Sequence, residues 1–137
     1  MKIRYYYYNK SRETIEKKEL ISEDEVWKCL IHVSYALKCL HEMQVFHRDI
    51  KSANIFIVNN TYKLADLNVS KESIKGLAYT QTGTPFYASP EVWRDEPYDY
   101  KSDIWSLGCL IYEMCNHQPP FQVYSFINTH TYINSLI

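Results

Sequence analysis

Phe46-His47-Arg48-Asp49-Ile50-Lys51-Ser52-Ala53-Asn54-Ile55-Phe56 sets an acid, a cation and a carboxamide at fixed spacing between two apolar runs, Gln44-Val45-Phe46 and Ile55-Phe56-Ile57-Val58. Apolar runs this short read as strands, so the polar segment between them is a loop held from both ends and able to aim its side chains. Asp49, Lys51 and Asn54 converging on one point suit phosphoryl transfer. There an acid handles a hydroxyl nucleophile, a cation offsets phosphate charge and a side-chain oxygen holds Mg2+. The competing reading is a charged turn between two strands. It suffices for an isolated Arg-Asp or Asp-x-Lys, and accounts poorly for all of these positions filled in order.

A chain of 137 residues is long enough for one domain with a core and too short for two. Its net charge of -1 offers no electrostatic case for nucleic acid or an acidic membrane surface, so neither is expected as a partner. With 46% hydrophobic and 15% aromatic residues, the chain is expected to pack as a globule rather than stay disordered. No stretch approaches the apolar length of a membrane span, and Met1-Lys2-Ile3-Arg4 runs into tyrosines rather than the aliphatic core of a signal peptide. Cys29, Cys39, Cys109 and Cys115 lack C-x-x-C spacing and lie in apolar-periodic segments, so small buried hydrophobes in a reducing compartment are expected. A zinc site drawing on them with His32 or His41 is the alternative. Asn59-Asn60-Thr61 and Asn68-Val69-Ser70 match a glycosylation acceptor pattern but are expected to carry no sugar in a cytoplasmic or nuclear protein.

Residues 1–21 form a poorly defined opening segment: the tyrosine run Tyr5 to Tyr8, then a charged stretch from Lys10 to Glu19. Ser22-Glu23-Asp24-Glu25 reads as a capping box. Behind it Val26, Leu30, Val33, Leu37 and Leu40 recur at helical steps, and Trp27, Ile31 and Ala36 widen the stripe. The expectation is a helix to about Met43, buried on more than one side. Its His32 and His41 are expected as packing or surface residues. Ile55–Val58 and Tyr62–Ala65 read as a hairpin turned at Asn59-Asn60, which returns Asp66 to the side of Asn54 as a second Mg2+ ligand. From Val69 to Thr82 the polar sequence reads as a loop. Asp103 is the expected N-cap of an apolar helix carrying Ile104, Trp105, Leu107, Leu110, Ile111 and Met114, covered on all sides and ended by Pro119-Pro120-Phe121.

The stretch from His47 to Asn54 resembles the catalytic loop of the protein kinases, H-R-D-x-K-x-x-N. Asp66-Leu67-Asn68 stands where that family has D-F-G, with Leu67 in place of Phe and Asn68 in place of Gly. Leu67 is expected to pack against His47, and Asn enters left-handed backbone cheaply. Gly83-Thr84-Pro85-Phe86-Tyr87-Ala88-Ser89-Pro90-Glu91 resembles the end of an activation loop, and Asp103-Ile104-Trp105-Ser106-Leu107-Gly108 the helix on which the family's C-terminal lobe is built. Lys51 and Thr84 point within that family to serine/threonine transfer. The segments Asp66 to Lys71, Thr82 to Trp93 and Cys109 to Met114 are similar to the NIMA-related kinases.

The resemblance implies an α+β, protein kinase-like fold, truncated to a mainly helical C-terminal lobe with a small β-hairpin. The implied organisation is a partial kinase domain over residues 22–121, with a divergent tail at 122–137. It implies ATP and Mg2+ as cofactors and a protein substrate offering Ser or Thr. In the implied roles Asp49 orients the hydroxyl and takes its proton, while Lys51 offsets charge on the γ-phosphate. Asn54 and Asp66 hold the metal, and Phe56 floors the adenine. Arg48 answers a phosphorylated Thr80, with Thr82 and Thr84 in the same regulatory loop, while His47, Leu67, Glu91 and Asp103 are structural. The expected location is cytoplasmic, with cytoskeletal, ciliary or nuclear association suggested by the subfamily. The first glycine of the chain is Gly76, so no G-x-G-x-x-G precedes the loop. Three alternatives therefore stand: an active kinase, an inactive fragment that binds or regulates, and a partial gene product.

Overall fold

The computed structural model describes residues 21–67, 71 and 72, and 85–121. Helix α1 spans Glu23–Glu42. Ser22 stands at its N-cap with extended backbone, yet its hydroxyl caps nothing, contrary to the expected capping box. Its carbonyl instead accepts the N–H groups of Glu25 and Val26 at 3.1 and 3.2 Å, and Glu23, Asp24 and Glu25 complement the positive end of the helix. Cys29, Val33 and Leu37 form the buried line, flanked by Val26 and Leu30. Trp27 and Ile31, 54% and 48% exposed, correct the expectation of burial on several sides. They lie half a turn away from the Cys29–Val33–Leu37 line, on the side of α1 turned away from the core.

After Met43, Gln44 takes a left-handed conformation (φ 59°) and turns the chain into β1, Val45–Phe46. Strands β2 (Ile55–Val58) and β3 (Thr61–Leu64) form an antiparallel hairpin with Ile55 opposite Leu64 and Val58 opposite Thr61. Asn59 and Asn60 supply the two positive φ angles, 48° and 58°, that a tight hairpin turn requires. β4, Lys71–Glu72, pairs antiparallel with β1. The polar stretch read as a loop thus contains a strand there: Lys71 and Glu72 show no apolar alternation, and β1 supplies the pairing.

Helix α2 is one turn, Pro90–Trp93, with Pro90 where a missing N–H costs nothing. Helix α3 spans Tyr100–Asn116. Its N-cap is Asp99, whose carboxylate accepts the N–H of Lys101 at 2.7 Å, so Asp103 lies inside the first turn rather than capping it. The left-handed His117 (φ 58°) ends the helix by donating its N–H to the Glu113 carbonyl at 2.7 Å, two residues before the prolines. Leu107, Cys109, Leu110 and Met114 are buried, whereas Ile104, Trp105 and Tyr112 are exposed. Cover on all sides is therefore not what the described residues provide, although Trp105 stacks on Phe121 with centroids 5.6 Å apart.

One core joins the inner faces of α1, α3 and the hairpin: Val33, Leu37, Ile50, Ile55, Tyr62 and Leu110 are among its members. Burial pushes the Cys29 and Cys109 thiols up to about 12 and about 11, so both act as hydrophobes. Cys39 and Cys115 are exposed, contrary to expectation, because they fall on the outward faces of their helices. Among the described residues no group of three or more His, Cys, Asp or Glu side chains could hold a metal, which leaves the zinc alternative without support there. No helix among them is long and apolar enough to cross a membrane.

Leu110 is fully buried where α3 meets this core. Leu110→Ala is expected to cost about 2–5 kcal/mol in urea unfolding, against about 0.5 kcal/mol or less for Ile104→Ala on the exposed face.

Candidate active site

The site is built on α3. Asp103, 2% exposed in the first turn of that helix, takes three hydrogen bonds. Its Oδ2 accepts the N–H of His47 at 2.9 Å and the Nε2–H of His41 at 2.8 Å, and its Oδ1 accepts the N–H of Arg48 at 2.8 Å. A buried carboxylate is tolerable when donors satisfy it. These donors include two consecutive backbone groups of the loop, so the loop's direction is set by a rigid helix. Arg48 is held there in left-handed backbone, φ 71°, a strained conformation for a non-glycine residue.

Beyond that anchor the loop closes on itself. Lys51 Nζ lies 2.6 Å from Asp49 Oδ2. Asn54 Nδ2 donates to Asp49 Oδ2 at 2.9 Å and to the Asp49 carbonyl at 2.8 Å. Asp49 thus contacts both the cation and the carboxamide expected to converge with it. Ser52–Asn54 form a single 3-10 turn, which carries Asn54 back over Asp49. Both amide protons of Asn54 are committed to Asp49, so its Oδ1 is the atom left for a ligand.

The hairpin sets the second half of the site. The Ala65 N–H donates to the Asn54 carbonyl at 3.0 Å, bringing the chain just past β3 to the base of the loop. His47, fully buried, bridges the same place: its Nε2–H donates to the Ala65 carbonyl at 3.1 Å and its Nδ1 accepts the Asp49 N–H at 3.3 Å. Burial holds the His47 imidazole below its ordinary value, with the Ala65 hydrogen bond and the Asp103 charge opposing, so the ring is neutral and this tautomer is required. Asp66 follows, exposed and left-handed (φ 69°). Leu67 is 53% exposed, which corrects the expectation that it packs on His47: Ala65, not Leu67, occupies the place beside that ring. Phe56 on β2 is half-buried.

A third wall comes from residues 85–106. Tyr87, in the 3-10 turn Pro85–Tyr87, donates its hydroxyl to Glu113 at 2.6 Å, lies 3.4 Å from Ser52 Oγ, and its carbonyl accepts from Ser106 at 2.8 Å. Burial and the Glu113 carboxylate hold its phenol protonated. Glu91 accepts the Ser102 hydroxyl at 2.6 Å, and buried Ser89 donates to Ser102 at 3.0 Å. The guanidinium of Arg48 sits over the Tyr98 ring, 5.7 Å from its centroid. Thr80, Thr82, Thr84 and Asn68 lie outside the described residues, so the pairing of Arg48 with Thr80 has no geometry to weigh. Sequence reasoning missed Tyr87, Tyr98, Ser102 and Glu113 as supports of the site, and placed His41 as a packing or surface residue. His41 and its partner Asp103 are 62 positions apart, and no local pattern announces such a pair.

Two outcomes test this construction. Asp103→Ala strips two loop N–H groups and His41 of their acceptor and is expected to cost about 3–5 kcal/mol in urea unfolding. For His47, the folded value lies below the ordinary imidazole value of about 6.5, so the unfolded chain takes up the proton first as pH falls. Its contribution to stability is complete above about pH 6.5 and is lost as pH falls from there toward the folded value. Urea midpoints measured across that window should therefore fall more steeply for the native chain than for His47→Gln.

Comparison with known proteins places these features. Residues 3–135 match the protein kinase domain family. Serine/threonine-protein kinase Nek3 of Mus musculus is 41% identical over 116 residues, covering 82% of this chain and 23% of that protein. Serine/threonine-protein kinase Nek5 of Homo sapiens is 42% identical over 107 residues, 75% of this chain and 15% of its own. Serine/threonine-protein kinase Nek11 of Mus musculus is 40% identical over 119 residues, 85% of this chain and 19% of its own. The chain thus spans less than a quarter of the length of each of these relatives. With a family match over nearly its whole length and the Asp49–Lys51–Asn54 cluster mounted on Asp103, the chain belongs to the protein kinase family, with NIMA-related serine/threonine kinases among its relatives.

Proposed function

We propose that this chain carries the phosphoryl-transfer centre of a serine/threonine protein kinase, moving the γ-phosphoryl group of ATP to a Ser or Thr hydroxyl of a protein substrate. The observation that carries the reading is the contact of Asp49 with both Lys51 and Asn54, at 2.6 and 2.9 Å. The Asp49 carboxylate orients the incoming hydroxyl and accepts its proton as that oxygen bonds to the γ-phosphorus and ADP leaves with the bridging oxygen. Lys51, already beside Asp49, offsets charge on the transferred group. Asn54, with Oδ1 available, and exposed Asp66 suit Mg2+, which takes one or two protein oxygens and completes its shell with water and phosphate. The metal would supply charge neutralisation between the phosphates. Phe56 is the proposed floor for the adenine, Arg48 the proposed partner of a phosphorylated Thr80 in a loop that includes Thr82 and Thr84, and the segment from Thr84 to Glu91 the docking surface for substrate.

A second reading, binding or regulation without turnover, applies to these residues taken by themselves, which hold no glycine before Gly76 and so no glycine-rich cradle for phosphate. A cytoplasmic location is proposed because Cys29 and Cys109 serve as inert hydrophobes, which suits a compartment that keeps thiols reduced.

Radiolabelled transfer from ATP by the purified chain decides between the two. Asp49→Asn is expected to lower the rate by about 10²–10⁴-fold with the fold intact by circular dichroism. Transfer absent from the native chain, or unchanged by the substitution, sinks the catalytic reading.

A further inference from the structure

The two residues assigned to the metal flank one small element. Asn54 immediately precedes β2, and Asp66 follows β3 by two residues. A two-stranded hairpin is marginal alone and must be held by its surroundings. At its base it is held by the Ala65 N–H on the Asn54 carbonyl and by His47 on the Ala65 carbonyl. Asp66 is the next residue beyond Ala65, so a slide of β3 past β2 by a fraction of the roughly 3.3 Å rise per residue strains those two bonds and moves Asp66 relative to Asn54. Mg2+ demands near-ideal octahedral geometry and tolerates such a displacement poorly.

A second set of contacts, on α1, removes this freedom. Tyr62 is 3% exposed, and its N–H points to the side of β3 that has no strand neighbour in the described sheet. That N–H donates to Nδ1 of His32 at 3.2 Å, which satisfies a strand edge with a side chain. The Tyr62 hydroxyl donates to Glu25 Oε2 at 2.6 Å, and Glu25 Oε1 is in turn held by Lys28 Nζ at 2.9 Å. His32 and Tyr62 also face each other as rings, 6.1 Å between centroids. One strand residue is thereby gripped at both its backbone and its side-chain tip by two residues of α1, spaced two helical turns apart. Apolar packing alone is non-directional and would permit sliding; these hydrogen bonds specify the register of α1 on β3.

We infer that Glu25 and His32, acting through Tyr62, are positioning residues for the pair Asn54 and Asp66, so that the grip of α1 on β3 tunes metal affinity. The inference rests on the assignment of those two residues as metal ligands. The grip acts as an outer shell does around a metal centre, where loss of an orienting partner weakens binding without removing a ligand.

The test uses the full chain, isotopically labelled, with Mn2+ alone as a paramagnetic probe. Its affinity is read from the broadening of the Asn54 side-chain amide signal, and the grip from hydrogen exchange at the Tyr62 amide. His32→Leu is expected to speed exchange at Tyr62 and weaken Mn2+ about tenfold, and His32→Gln, which keeps an acceptor, to recover affinity to within about threefold. Tyr62→Phe deletes one hydroxyl and is expected to weaken Mn2+ in the same direction; it carries the test if His32→Leu does not fold. Unchanged Mn2+ affinity in folded Tyr62→Phe, and in His32→Leu if it folds, overturns the inference even if both melt at lower temperature. A native chain in which Mn2+ broadens no Asn54 signal overturns the metal assignment and the inference with it. Broadening in the native chain that the variants leave unaltered sinks the positioning role alone.

Discussion

The Asp103 carboxylate is the constraint on which the remainder of the site depends. An ionised group so deeply buried is costly unless its lone pairs are satisfied, and His41, His47 and Arg48 satisfy them from two different segments. The exchange works in both directions: the donors make the charge tolerable, and the charge fixes the donors. Because two of them are consecutive backbone N–H groups, the loop cannot rotate about its own axis without losing both. The left-handed Arg48 is the conformational strain accepted for that grip.

From this anchor the site extends by short polar links rather than by packing. His47 passes the position of the loop to the chain beyond β3, because a neutral imidazole donates at Nε2 and accepts at Nδ1 together. Asn54 folds back on Asp49 with both amide protons. Tyr87 connects the 3-10 turn at Ser52 to Glu113 on α3, one helix serving as footing for both walls. Two helices and a hairpin with one shared core supply the stiffness that lets such links hold their lengths.

Much of this was legible in the residues and some was not. The hairpin could be read because alternation, short apolar runs and Asn59-Asn60 are local signals, and the structure moves its second strand by a single residue. The extent of α1 was equally local, ending one residue from the expected Met43. The capping assignments failed for a reason common to both helices. Ser22 and Asp103 have the right chemistry for a cap, but which polar group meets the free N–H groups depends on where the chain turns into the helix. Asp99 wins at α3, and Asp103 is drawn off to the loop. Exposure of Trp27, Ile31, Ile104 and Trp105 escaped periodicity altogether, since a wide apolar stripe states what a helix is able to bury and not which neighbours it has.

What the sequence determined by itself is the family and the groups proposed for its chemistry: Asp49, Lys51, Asn54 and Asp66, at spacings legible over a few residues. What only the tertiary structure decided is how those groups are held. His41 reaching Asp103, Tyr87 reaching Glu113, and Tyr62 gripped by Glu25 and His32 join positions 26 to 62 apart. Spacing along the chain carries no information about such pairs, because their encounter depends on how whole elements pack. Once packed, a buried polar group must find its partner wherever the fold has left one.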